Sequence, residues 1–170
     1  WAGNMPVLED IPRLYEKYYT HESIERNSFV SRVYGTVLKG YLSTQYGYHG
    51  ANIFQKLLGY LVYIEPGVKA LADSKVYELP YVKDGNLLEV GCGDGRNLKF
   101  LQDFGWNVEG IDLDGQAINN AAKKGLNVSV SELIDKHYPD NNFEVVVCKH
   151  VIEHIPNPVE FLEEVRRVLK

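Results

Sequence analysis

Apolar and polar positions along the chain fall into two rhythms. Up to about residue 80 the apolar positions recur at helical spacing. Ile24, Phe29, Val30, Val33, Val37, Leu38, Tyr41 and Leu42 predict one or two helices over 22–45, interrupted near Gly35 or Gly40. Tyr46-Gly-Tyr-His-Gly50 reads as a loop. Residues 51–64 read as a further helix stopped by Pro66-Gly67, and 67–78 as another. Pro12 suits the first turn of a short helix ahead of them. From residue 86 short apolar runs alternate with helical patterns. Leu87–Val90, Asn107–Ile111, Leu126–Val130 and Phe143–Cys148 predict four strands, the last continuous enough in β-branched residues for a central parallel strand. Arg96–Phe104, Gln116–Lys124 and the stretch from Asn157 to the end predict helices. Gly105 and Gly125 close the first two, and Asn157 caps the third before Pro158. The expected fold is α/β: a Rossmann-like, doubly wound, mostly parallel sheet carrying strands one to four over 81–170, behind a helical extension or lid over 1–80.

The junction of the first strand and its helix carries the strongest chemistry. Leu87-Leu-Glu-Val90 runs into Gly91-Cys-Gly-Asp-Gly95. A glycine turn lets the backbone approach a ligand, and the next helix offers free N–H groups. The pattern is G-x-G-x-G. A dinucleotide turn needs its third glycine where this chain has Arg96, which counts against a nucleotide-dependent oxidoreductase, and no P-loop is present.

Composition narrows the partners. A net charge of -5 with no basic block argues against a general nucleic-acid binder. Cys92 and Cys148 are far apart and not in C-x-x-C spacing, which suggests a reducing, cytoplasmic setting without a disulfide framework. The longest apolar run, Leu57 to Ile64, falls well short of the ~20 residues of a membrane span. Nine of the twelve tyrosines precede residue 65. They read as the core of the helical part or as polar handles of a lid, and for any single tyrosine the core is the expectation. The chain opens at Trp1 and closes inside a helix-like pattern, which reads as a fragment.

The region 86–170 resembles the class I S-adenosylmethionine-dependent methyltransferases of the small-molecule "type 11" kind. Four ordered stretches after the glycine turn carry the resemblance: Gly110-Ile-Asp112-Leu-Asp114, Pro139-Asp-Asn-Asn-Phe143, His150-Val-Ile-Glu-His154 and Glu163-Glu-Val-Arg-Arg-Val-Leu-Lys170. The resemblance implies S-adenosyl-L-methionine as cofactor, S-adenosyl-L-homocysteine as product, and strands five to seven beyond Lys170. It places Gly91, Cys92, Gly93 and Gly95 against the methionine part of the cofactor, with Glu89 orienting the loop or the amino group. It places Asp112 on the ribose hydroxyls and Leu113 on the adenine. Glu132, with Leu133 beside it, stands where the family usually has an aspartate on the adenine amino group. Lys149 and His150 fall beside the sulfonium, with His150 the candidate general base ahead of His154 and His49. The acceptor implied is a small molecule, or a glycan, because Asn4-Met-Pro6 and Leu14-Tyr-Glu-Lys-Tyr-Tyr-Thr-His21 are similar to a segment of bacterial methyltransferases from cell-surface polysaccharide clusters. An exposed sheet edge makes an oligomer possible. The rival is a module that binds the cofactor without catalysis, or an inactive fragment.

One motif points elsewhere. His150-Val-Ile-Glu153-His154 spells H-x-x-E-H, the inverted zinc-peptidase pattern, and on a helix the two histidines would share a face. Such a site needs a third ligand, and Pro156 cuts any helix short, so no metal site is expected.

Overall fold

The computed structural model describes residues 29–170. The short helix expected at Pro12 and the glycan-type segment over 4–21 lie outside the described residues. The first element is a continuous helix, α1 (Phe29–Tyr46), that runs through both glycines expected to interrupt it. Gly40 has another use. A β-carbon there would stand 1.7 Å from the Gln55 carbonyl oxygen, and one on Gly59 would stand 2.4 Å from the Tyr41 nitrogen. The two glycines let α1 meet α2 (Ile53–Gly59) backbone to backbone. Asn52 starts α2 with a reciprocal cap: its Oδ1 accepts the Gln55 N–H at 2.9 Å, and its own N–H donates to Gln55 Oε1 at 3.0 Å.

The single helix expected over 51–64 is two pieces, α2 and a 3₁₀ turn over Tyr60–Ile64. The helical stretch stops at Ile64, ahead of Pro66-Gly67 as expected, and Pro66 also opens the next helix, α3 (Pro66–Lys75), with the Glu65 side chain accepting the Val68 N–H. Proline lacks only a donor that the first turn leaves unused. Tyr77 and Glu78, with φ of 53° and 57°, then turn the chain towards the sheet.

The sheet holds β1 (Asn86–Val90), β2 (Asn107–Asp112), β3 (Asn127–Val130) and β4 (Val145–Cys148), all parallel, in the order β3-β2-β1-β4. Helices α4 (Arg96–Asp103) and α5 (Gly115–Ala122) connect the first three strands. Helix α6 (Pro158–Val168) follows β4. It does not run to the end of the chain. Leu169 is extended and pairs with Phe143, and the Asn142 and Phe143 N–H groups both donate to the Val168 carbonyl. Asn157 stands at the cap position without accepting a backbone N–H; its amide donates to Glu160 instead.

Both faces of the sheet are covered. On one, Leu87, Val147, Leu98, Leu101, Trp106 and Leu126 pack with Tyr41, Leu42, Tyr48 and Val62 of the helical part. On the other, Leu88, Val90 and Ile111 pack with Leu133, Tyr138, Phe143 and Val168. Alternate residues of β1 therefore serve opposite cores, as period-two side chains require.

Candidate functional site

The registers Val90↔Ile111 and Val90↔Cys148 bring the carboxyl ends of β1, β2 and β4 level. The glycine turn, Asp112 and Lys149 therefore leave the sheet at one edge. Because the chain moves from β1 to β2 on one side and returns to β4 on the other, that edge is a topological switch point, where open α/β sheets hold ligands.

The turn is held from several directions. The Gly91 and Cys92 N–H groups donate to the Ile111 carbonyl at 2.8 and 3.1 Å, and Gly95 N–H to the Cys92 carbonyl at 3.0 Å. Gly91, Gly93 and Gly95 all lie in the left-handed region, with φ of 74°, 54° and 70°. Their surroundings differ. Gly95 is pressed against Leu126 and Ala121, and Gly91 against Val151, whereas nothing lies within 4 Å of where a Gly93 β-carbon would be. Asp94 ties the tip to α4 through Arg96 at 2.8 Å and to the turn after α5 through Lys124 at 3.0 Å. Burial pushes the Asp94 carboxyl up, but these two cations hold it below the usual carboxylate range.

Asp112 binds the turn to the next strand. Its Oδ2 accepts the Gly93 N–H and its Oδ1 the Asp114 N–H, each at 2.8 Å. A carboxylate has about four acceptor positions, so two remain for a ligand's hydroxyls. The helix-cap duty belongs to Asp114, whose Oδ1 accepts the Gln116 and Ala117 N–H groups.

Glu89, last but one in β1, is 6% exposed. Tyr77 donates its hydroxyl to Oε1 at 2.6 Å, while Oε2 is buried with no partner. Burial pushes this carboxyl up to about 7, helped by the Asp112 charge and opposed by Tyr77 and Lys149. A buried oxygen without a donor is the feature a ligand cation would satisfy.

The remaining predicted residues divide. Leu113 is 57% exposed beyond Asp112, an apolar side chain free to cover a flat ring. Glu132 is exposed after β3, whereas Leu133 is buried in the second core. Cys92 turns its sulfur into the first core over Gly110, and burial pushes the thiol up to about 12, so only its backbone belongs to the turn. Lys149 and His150 are exposed at the end of β4. The His150 side chain is 78% exposed, at φ 57°, with Nδ1 3.6 Å from Glu153 Oε1. Residues Ile152–His154 form a 3₁₀ turn that excludes His150, so the two histidines of H-x-x-E-H do not share an α-helical face. Among the described residues no group of three or more His, Cys, Asp or Glu side chains could hold a metal ion.

The tyrosines sort as well. Tyr48 accepts the Trp106 indole N–H at 3.1 Å and packs on Phe104 and Tyr81; His49 stacks edge-on against Tyr81 at 4.9 Å. Trp106 stands just ahead of the amino end of β2, roughly 20 Å along the strand direction from Asp112 at about 3.3 Å per residue. His49 is thus at the opposite edge from the turn. Among the described residues Tyr77, which carries no sequence signal, is the tyrosine that reaches the site.

A profile of the family described as "Methyltransferase domain" matches residues 88–170. Residues 88–170 carry a methyltransferase domain of this family. Ajmaline N-methyltransferase of Rauvolfia serpentina is 31% identical over 109 residues, covering 59% of this chain and 38% of that protein. Ubiquinone biosynthesis O-methyltransferase of Colwellia psychrerythraea is 28% identical over 94 residues, covering 51% of this chain and 38% of that protein. The chain thus spans well under half the length of each relative. The crystal structure of an S-adenosylmethionine-dependent methyltransferase from Mesorhizobium loti superposes with a TM-score of 0.53 at 20% identity, over 59% of this chain and 49% of that one, which supports the fold of the methyltransferase domain. No helix among the described residues is long and apolar enough to cross a membrane.

Proposed function

We propose that the protein binds S-adenosyl-L-methionine at the glycine turn and directs its methyl group to a small-molecule acceptor. The observation that carries this reading is the Gly93–Asp112 hydrogen bond. It fixes an open glycine and a carboxylate with spare acceptor positions side by side at the switch point. The residues present fit the cofactor's chemistry. Glu89 has a buried oxygen in need of a donor and suits the α-ammonium group. Asp112 suits two ribose hydroxyls. Leu113 suits the adenine face and Glu132 the adenine amino group. When bound, the cofactor supplies a methyl group already activated on a positively charged sulfur. The chain's work is therefore alignment of donor with acceptor and exclusion of water. His150 serves as base where the acceptor must lose a proton, with Glu153 to balance its charge. The O- and N-methyltransferases among the relatives leave the methylated atom open, and the segment over 4–21 supports a glycan-type acceptor as one member of the class.

A second reading, binding without catalysis, draws support from the exposure of His150, whose ring no buried contact holds towards the turn. Calorimetry decides between them. S-adenosyl-L-homocysteine is expected to bind and NAD not to, with Asp112→Ala weakening binding at least tenfold, on the order of two hydrogen bonds to a charged group. Failure of the wild-type protein to bind overturns the proposal. Binding with no methylated product across phenol, amine and sugar acceptors favours the second reading, and unchanged turnover in His150→Ala removes that residue from the reaction.

A further inference from the structure

Tyr77 and Glu78 are consecutive left-handed residues, a conformation that side-chain-bearing L residues adopt at a cost and that clusters at functional sites. The pair is anchored to the end of α3, where the Val76 and Glu78 N–H groups both donate to the Asp73 carbonyl. The result is a tyrosine hydroxyl carried from the helical part to the buried carboxyl at the end of β1, 2.6 Å from Glu89 Oε1. Only that oxygen is engaged. Glu89 Oε2 is left inaccessible and unpartnered, a state that buried polar atoms rarely keep without a purpose.

Resting on the cofactor reading above, we propose that Tyr77 is a positioning residue: its hydroxyl holds one oxygen of the buried Glu89 carboxylate so that the other is kept for a ligand's ammonium group. Ligand binding is thereby tied to the helical part of the chain. It is also tied to pH, because the ammonium requires Glu89 ionised. Four groups bear on that carboxyl: Tyr77 from the linker, Lys149 from the end of β4, Asp112 from the end of β2, and the Cys92 thiol of the turn. Burial holds it close to neutrality, and Tyr77 is one of two influences favouring its charge. Removing the hydroxyl makes Glu89 harder to ionise.

The test is calorimetric titration of wild-type and Tyr77→Phe protein with S-adenosyl-L-homocysteine, which carries the ammonium, and with 5′-methylthioadenosine, which lacks it. If the substitution moves the Glu89 titration up by about one pH unit, the first ligand binds about fivefold more weakly to the variant at pH 7, and the gap closes to less than twofold at pH 9. Methylthioadenosine binds both proteins alike at both pH values. A gap for S-adenosyl-L-homocysteine that is absent at pH 7, or unchanged at pH 9, overturns the proposal, as does an equal loss for methylthioadenosine. A second measurement needs no variant: at pH 7, wild-type binding of S-adenosyl-L-homocysteine in buffers of different ionisation enthalpy releases about half a proton, and release of none overturns the proposal. Wild-type protein that binds neither ligand instead removes the cofactor reading on which it rests.

Discussion

Among the described residues the helical part and the sheet part each bury one carboxylate, and the two are treated in opposite ways. Asp73 in α3 is 7% exposed and saturated: Tyr41 and Tyr46 donate to its Oδ1 at 2.6 and 2.8 Å, and Lys69 to its Oδ2 at 2.6 Å. Burial pushes its carboxyl up, but these three donors hold it below the ordinary range. Glu89 has nearly the same exposure and one donor, and its carboxyl rises to about 7. A buried acid with all its bonds made is part of a fold. One with a bond left open is a place prepared for something else. The glycines divide in the same way. Gly40 and Gly59 are glycine because two backbones meet there, whereas Gly93 stands in open space with a left-handed backbone.

The largest effect expected from breaking this contrast lies at the helical crossing. Gly40→Ala puts a β-carbon into the Gln55 carbonyl, and the α1–α2 hairpin cannot close around it; we expect a loss of about 3 kcal/mol or more in denaturant unfolding. A loss below about 1 kcal/mol would mean that the helices can separate freely. Next comes Asp73→Ala, which leaves two tyrosine hydroxyls and the half-exposed Lys69 without their acceptor, for about 2–3 kcal/mol. Because the Asp73 carboxyl lies below its unfolded value, its contribution is present above the unfolded pKa and is lost as pH falls through the lower folded one. The wild-type protein should therefore lose its advantage over Asp73→Ala only in acid, and a constant advantage down to pH 2 would contradict the assignment.

The same contrast explains what was legible in the sequence. The strands, the glycine turn and Asp112 were readable because each is specified within a few neighbouring residues: an apolar run, a run of glycines, an acid at a strand tip. Gly40 looks like a break because a glycine needed for close packing resembles, along one dimension, a glycine needed for a turn; at Gly35 nothing lies within 4 Å of where a β-carbon would be, and the helix simply runs through it. Pro66 marks both a stop and a start: one helical stretch ends at Ile64 and the next opens at Pro66, one residue ahead of the expected start. Cys92 and Leu133 were assigned to the ligand by position in a motif, but their side chains complete the two cores. Asp114 as the cap of α5 could have been found, since an acid directly precedes the helical pattern. Tyr77 could not. Its reach depends on two left-handed residues and on Glu89 being short of a donor, neither of which has a sequence signature.

Glu89→Gln sharpens the contrast with Asp73, because its sign is reversed. The folded-state carboxyl lies above its unfolded value, so the folded protein binds the extra proton between about pH 4.5 and 7, and wild-type stability falls as pH rises through that window. A glutamine cannot ionise and escapes the loss. Relative to wild type, Glu89→Gln should gain stability on the order of 3 kcal/mol between pH 4.5 and 8 in ligand-free protein, while losing affinity for S-adenosyl-L-homocysteine. Thermal unfolding across that range checks the first half. A parallel pair of stability curves would mean that Glu89 titrates like a surface carboxylate.

Gly93→Ala has the smallest expected effect on the fold and says most about the site. With nothing within 4 Å, the added methyl meets no atom, so the only penalty is the left-handed backbone, about 1 kcal/mol. The Gly93 N–H still reaches Asp112, so the turn keeps its clasp on β2. A ligand lying along the open face would meet the methyl directly, and its affinity should then fall by at least tenfold, more than the stability change accounts for. The two measurements together, unfolding and S-adenosyl-L-homocysteine binding, separate an open glycine that faces a ligand from one that merely faces water. If affinity falls no further than stability, the ligand does not pass over Gly93, and the side of the turn facing Val151 becomes the place to look.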